Sequence, residues 1–279
     1  MTLGSGLLSA SLAKRVATAV VAVPLFVLLV LKAPAWMFQL LVLAVAAAAV
    51  WELTRMFAHA GPPAYASLGV VTTVAVAASF ASPWAPLNLA IHPLMVATAA
   101  VVVVLSAPVV LGGRPMIEPV ARTLLGIFYI GWFLGHALWL QRVVDGPDLI
   151  LFLVGVTWIG ESAAYLVGST MGRHKLAPLI SPNKTVEGAV AQVVASVVAA
   201  GLFGWLLLEW PMVHAMLAGG ILGVVGQFGD LAESVMKRSA GVKDSSGLIP
   251  GHGGVLDRID SLLFNTPTLY YYVVLGGLS

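Results

Sequence analysis

Apolar residues run in long unbroken stretches, separated by short clusters of Pro, Gly and charge. Nine stretches stand out: Val16 to Leu31, Trp36 to Val50, Tyr65 to Ala81, Leu94 to Leu111, Leu124 to Leu140, Leu149 to Gly168, Ala189 to Leu208, Val213 to Phe228 and Leu262 to Leu278. Each approaches the roughly 20 residues that a helix needs to cross the hydrocarbon core. Many are rich in Val and Ala, but a lone strand in lipid leaves its backbone groups unsatisfied, and the alternation of a closed barrel is missing. The pattern therefore predicts an all-α polytopic membrane protein with about nine transmembrane helices. Lys14-Arg15 before the first stretch and Ala33-Pro34-Ala35 after it outline a leader, yet its length and the internal Pro24 favour a retained helix.

Composition sharpens this picture. The chain is 59% hydrophobic and 9% charged, against about 25% charged in soluble domains, which excludes a water-soluble globule. The absence of cysteine excludes disulfides, thiolate metal sites and cysteine nucleophiles. A net charge of +2 is too small to argue for a nucleic-acid partner. The placement of charge says more. With the amino terminus inside, all of the 14 Lys and Arg residues except Lys32 and Arg142 fall on the cytoplasmic side, the bias expected of an inner-membrane, multi-pass protein.

Two segments between the stretches are long, and both are expected to be cytoplasmic loops: residues 169–188 and 229–261. They divide the chain into N-terminal transmembrane helices (1–148) and a C-terminal catalytic region (149–279), whose loops together form the active site. They hold most of the polar chemistry. In the second loop Asp230, Glu233, Asp244, Asp257 and Asp260 are hard oxygen donors suited to magnesium. Lys237, Arg238, Lys243 and Arg258 can neutralise phosphate, and Gly251, Gly253 and Gly254 allow the backbone to wrap closely around one. Asp257 and Asp260 share a face if a helix begins there. A plainer reading has Asp230, Glu233 and Lys237 continue the eighth helix as solvated charges, with Glu233 and Lys237 an i, i+4 pair. His252 can be a ligand, a proton carrier or a turn residue. In the first loop Lys184 and Thr185 stand just before a helix, whose free amides favour anions, although Ser181 and Thr185 also fit ordinary helix-start chemistry. Glu161, inside the sixth stretch, is an intramembrane carboxylate and a functional candidate. Trp51 and Glu52 read as an interfacial anchor and charge, and His59, His92, His136 and His214 as structural.

Ser234, Lys237-Arg238, Lys243-Asp244, His252-Gly253-Gly254, Asp257-Arg258 and Asp260 together resemble the signature of the phosphatidate cytidylyltransferases, or CDP-diacylglycerol synthases, of bacterial type. Ser181-Pro182-Asn183-Lys184-Thr185-Val186-Glu187-Gly188 resembles a second element of that family, and weaker likeness reaches Lys14-Arg15 and Trp51-Glu52. Glu161 departs from the pattern, standing where the family usually has aspartate. The resemblance implies transfer of a cytidylyl group from CTP to phosphatidic acid, giving CDP-diacylglycerol and pyrophosphate. It implies Mg2+, with or without a second cation, held by Asp230, Asp257, Asp260 and Glu161. Lys237, Arg238, Lys243, Asp244, Arg258 and His252 would join the catalytic set, and Ser181, Lys184, Thr185, Glu187, Ser234, Gly253 and Gly254 would bind substrate. Membrane lipids would surround the protein, and a homodimer follows by analogy. Two rival readings are a secondary transporter using Glu161 as part of an ion path, and a homologue weakened by Glu161 that binds lipid or nucleotide without turnover.

Overall fold

The computed structural model describes residues 20–61, 64–82, 92–111, 116–248 and 253–278. His252, Gly251, Lys14, Arg15 and Arg114 lie outside them. The described chain is nearly all helical: α1 (Val20–Lys32), α2 (Ala35–Ala58), α3 (Ala66–Ser79), α4 (Pro93–Leu111), α5 (Ile117–Gly126), a π-helical segment (Ile127–Trp132), α6 (Phe133–Leu140), α7 (Gly146–Thr170), α8 (Val186–Leu207), α9 (Met212–Ser239) and α10 (Leu256–Leu275). A two-stranded antiparallel hairpin, β1 (Lys175–Ala177) and β2 (Ser181–Thr185), joins α7 to α8.

As far as they are described, the nine apolar stretches fall largely on helix, but the described residues contain 6 helical units long and apolar enough to cross a membrane. One of these, Ile117–Leu140, runs through α5, the π-helical segment and α6. The helices α1 and α3 are apolar but shorter, and α10 opens on the charged residues Asp257, Arg258 and Asp260, which lowers its hydropathy. Outward-facing side chains such as Val109 on α4, Val190, Val198 and Trp205 on α8 and Leu217 on α9 are exposed and apolar, as a lipid-facing surface requires.

The largest departure from the expected loops is at α9. It does not stop near Phe228 but continues to Ser239, carrying Asp230, Glu233, Ser234, Lys237 and Arg238 as helical residues. The second loop is correspondingly short, because α10 takes over at Leu256. The first loop is replaced mainly by the hairpin, with Lys175 paired to Thr185 and Ala177 to Ser181.

The helices α7, α8, α9 and α10 pack in sequence, and α10 also packs against α6. Polar side chains stitch this group together: Asn265 of α10 donates to Thr157 Oγ1 of α7 at 2.9 Å, and Gln227 of α9 to the Ala189 carbonyl of α8 at 3.0 Å. His136 is buried, with its ring nitrogens against the Trp132 carbonyl (2.8 Å) and the Tyr271 hydroxyl (3.2 Å), which agrees with a structural role.

Both ends of the bundle carry basic residues. At the C-terminal end of α2 lie Arg55 and Arg122, whose guanidinium donates to the Phe57 carbonyl at 3.2 Å. The opposite end holds Lys32, at the end of α1, and Arg142, which donates to the carbonyls of Ala81 and Ser82. Gln141 beside it reaches the Ala35 carbonyl at the start of α2, at 3.4 Å.

Candidate active site

Where α9 outruns its apolar part, its polar positions recur at helical spacing: Asp230, then Glu233 and Ser234, then Lys237, all on one face. That face meets the first turn of α10 at very close range. A Cβ at Gly229 would lie 2.6 Å from the Asp260 carbonyl, so only glycine lets the two helices approach this far. Burial follows. Glu233 is 0% exposed and pairs with Lys237 one turn along, and the same ammonium reaches Asp257 Oδ1 at 2.8 Å. The i, i+4 pair is thus present, but it is buried rather than solvated.

Asp257 is surrounded by donors. Oδ2 accepts from the amides of Gly254 (2.8 Å) and Ser245 (3.2 Å) and from the Ser245 hydroxyl (3.0 Å). Burial pushes its carboxyl up, but the hydrogen bonds from Lys237 and the Gly254 amide outweigh that and hold it at about 2. Gly253 has φ +81°, where a side chain is strained, and a Cβ at Gly254 would overlap Ser245 Oγ. The two glycines therefore serve the Asp257 turn directly.

Next to this face a cavity of about 550 Å³ opens among α7, the hairpin, α8 and α9, with Glu161, Lys175, Lys184, Gln192, Gln227 and Asp230 in its wall. Lys184 of β2 pairs with Asp230 of α9 at 2.6 Å across it. The charges of Asp230, Lys184 and Arg258 reach Glu161, and those of Asp230, Glu233 and Glu161 reach the buried Asp260. Lys184 and Asp230, remote in sequence, thus meet at this cavity.

Other sequence-predicted residues have different partners. Thr185 caps α8, accepting from the Gly188 amide at 3.1 Å, so its plain helix-start role is present. Glu187 turns toward the hairpin, accepting from the Arg173 amide at 3.1 Å and pairing with His174 Nδ1 at 2.6 Å, and is not in the cavity wall. Arg238 holds the hairpin to the end of α9 through the carbonyls of Ile180 (3.1 Å) and Val242 (3.2 Å). Ser234 lies 3.5 Å from Asp230 Oδ1, while Lys243, Asp244 and Arg258 are exposed near the turn and Ser181 opens β2 half-buried.

Among the described residues no three His, Asp or Glu side chains converge as a ready-made metal site. The donor set still fits magnesium chemically. It consists of carboxylate oxygens alone. Asp257 is already engaged by Lys237 and two amides.

One residue outside the two motifs joins the Asp257 turn. Glu52 of α2 is not an interfacial charge: it is 0% exposed and accepts from the amides of Val255 (3.0 Å) and Leu256 (2.8 Å) and from the hydroxyls of Ser245 and Ser246. The only sign of this was the weak likeness at Trp51-Glu52, because its partners lie about 200 residues away. Trp51 does sit at the surface, with Arg55 stacked 4.7 Å from its ring centroid.

Comparison with known proteins places most of the chain in one family. The profile of the cytidylyltransferase family matches residues 13–275. The phosphatidate cytidylyltransferase of Bacillus subtilis is 34% identical over 268 residues, covering 94% of this chain and 97% of that protein. That of Synechocystis is 49% identical over 120 residues, 42% of this chain and 40% of that protein. The uncharacterized protein YnbB of Escherichia coli is 41% identical over 162 residues, 54% of each chain, so these last two alignments span about half or less of the relatives.

Proposed function

Because this chain belongs to the cytidylyltransferase family, we propose that it transfers a cytidylyl group from CTP to phosphatidic acid, releasing pyrophosphate and leaving CDP-diacylglycerol in the membrane. The observation that carries this reading is the convergence of two remote motifs on one cavity, through the Lys184–Asp230 pair at 2.6 Å. The chemistry needs no protein nucleophile. A phosphomonoester has its second pKa near 6, so the lipid phosphate is already an oxyanion at neutral pH. What it requires is placement in line with the α-phosphorus and relief of repulsion between two polyanions.

Lys184 and Lys175 from the hairpin, with Lys237 on α9, Lys243 after it and Arg258 on α10, are the cations that would supply that relief. Asp257 fixes Lys237, and Asp230 fixes Lys184, so neither ammonium has to be organised during the reaction. Asp230, Asp260, Glu161 and Asp257 are the oxygen donors that would hold magnesium. When bound, the ion would add positive charge against the developing phosphate oxygens. The site opens among apolar helices, which lets acyl chains stay in the leaflet while the head group meets water-borne CTP.

We place this end of the bundle in the cytoplasm and the protein in the inner membrane, with nine spans once α1, α3 and α10 are counted. The clustering of Arg55, Arg122, Lys184 and Lys237 at one end supports that orientation. The division at residues 148 and 149 and assembly as a homodimer belong to the same proposal. Single cysteines in this cysteine-free chain test the orientation. In spheroplasts an impermeant thiol reagent is expected to label Val144→Cys at once and Ser169→Cys only after permeabilisation, and the reverse order would overturn it.

The reaction itself is tested with labelled CTP and phosphatidic acid in mixed micelles. The expected outcome is lipid-linked label that depends on magnesium, with Glu161→Asp changing the rate by no more than about tenfold, since the carboxylate moves by one carbon–carbon bond. Absence of product from wild type and its appearance in Glu161→Asp would identify a weakened homologue. Absence from both would return the transporter reading.

A further inference from the structure

We propose that Glu52, in the N-terminal half of the chain, is a positioning residue for the reaction: it caps α10 from outside that helix and thereby fixes the turn that aims Asp257. The inference rests on the reading above and adds a residue to it. Helix α10 begins at Leu256 with no side-chain hydrogen bond from its own N-cap, Val255, although the first amides of a helix need acceptors. Glu52 supplies them from α2. Oε1 takes the Val255 amide and the Ser246 hydroxyl, and Oε2 takes the Leu256 amide and the Ser245 hydroxyl. A negative charge there also complements the positive end of the α10 dipole.

The connection to Asp257 is short. Ser245 touches both carboxylates, its hydroxyl lying 3.3 Å from Glu52 Oε2 and 3.0 Å from Asp257 Oδ2, while its amide donates to Asp257. Gly254, whose amide is the closest donor to Asp257 Oδ2 at 2.8 Å, has room for no side chain because a Cβ would come within 2.6 Å of Glu52 Oε2. Glu52 is therefore built into the turn from one side and Asp257 from the other. A carboxylate that is fully buried needs such compensation, and two amides, the Ser246 hydroxyl and the Ser245 hydroxyl it shares with Asp257 provide it. An ordinary interfacial glutamate would have none.

The test is Glu52→Gln in the full-length protein. Glutamine keeps the size of the side chain but presents an NH2 group to one of the two amides, so one helix-start amide loses its acceptor. Hydrogen exchange of peptides covering residues 253–258 is expected to accelerate about tenfold, as for loss of a helix cap, with α7 and α8 unchanged. In the same protein kcat for cytidylyl transfer is expected to fall about tenfold or more, with KM for CTP within threefold of wild type. Ser246→Ala, which removes one hydroxyl donor and leaves both amides capped, is expected to give a smaller change in the same direction, and it decides the matter if Glu52→Gln does not fold. Wild-type exchange rates at 253–258 in the variants, or faster exchange with unchanged kcat, would overturn the inference. Failure of the wild-type protein to form lipid product would instead remove the reaction, and the exchange measurement would still decide whether Glu52 caps α10.

Discussion

Asp257→Asn is expected to lower kcat for cytidylyl transfer by about 100- to 1,000-fold, the scale on which preorganised charge at a phosphoryl site acts. Three losses combine. The Lys237 ammonium, now 2.8 Å from Asp257 Oδ1, would no longer have a full charge to hold it. An Asn oriented to keep its oxygen toward Lys237 would turn an NH2 group toward the amides of Gly254 and Ser245, setting donor against donor. Any cation the carboxylate helps to bind would also lose a charged ligand. Because Lys237 and Gly254 hold the carboxyl at about 2 against the upward push of burial, Asp257 stays ionised throughout the working range. It stabilises the fold above the ordinary carboxylate value near 4, and that contribution is lost only as pH falls toward 2. An acid limb in the rate profile between pH 5 and 7 would thus belong to another group. Label transfer in micelles, normalised to monodisperse protein, measures the effect, and turnover within threefold of wild type would remove Asp257 from the site.

Much of this arrangement was legible along the chain, and the reasons for the exceptions are physical. Apolar runs locate helices because lipid permits nothing else, so the nine stretches fall largely on helix wherever they are described. Their ends were less legible. Periodic charge after Phe228 looked like a loop because charged residues normally mark departure from the membrane, yet Glu233 and Lys237 neutralise each other and continue α9 to Ser239. The hairpin was hidden for a related reason: Ser181-Pro182-Asn183 carries turn-forming residue types, and only the pairing of Lys175 with Thr185 makes it a strand.

The candidate site divides similarly. Residues that meet their partners within one motif, such as Lys237 with Glu233, could be inferred from spacing. Lys184 and Asp230 could be grouped by chemistry but not joined, since their pairing depends on how α8 and α9 pack. Glu187 carried a functional expectation from its motif, but its neighbours Arg173 and His174 claim its carboxylate. Glu52 lay at the other extreme: its environment is made wholly by residues 245–256, and nothing near it in sequence distinguishes a buried cap from a surface charge.

Lys237→Met is expected to abolish transfer and to destabilise the protein together, and the second effect can be separated from the first. The ammonium stands between Glu233, fully buried, and Asp257, whose side chain is 10% exposed. Removing it leaves two carboxylates facing each other with no counter-charge, and breaking a buried pair in this way costs about 3–5 kcal/mol. Replacing both partners is a different case, because well-packed neutral groups remove the desolvation penalty along with the attraction. The double variant Lys237→Met/Glu233→Gln is therefore expected to recover most of the thermal stability, with Asp257 still tied to the amides of Ser245 and Gly254. It is not expected to recover turnover, since no cation remains at that position to face a phosphate. Thermal unfolding in detergent and label transfer, measured on the same preparations, give the two readings. Recovery of both would make Lys237 a purely structural charge, and recovery of neither would mean that Glu233 has work beyond its pairing with Lys237.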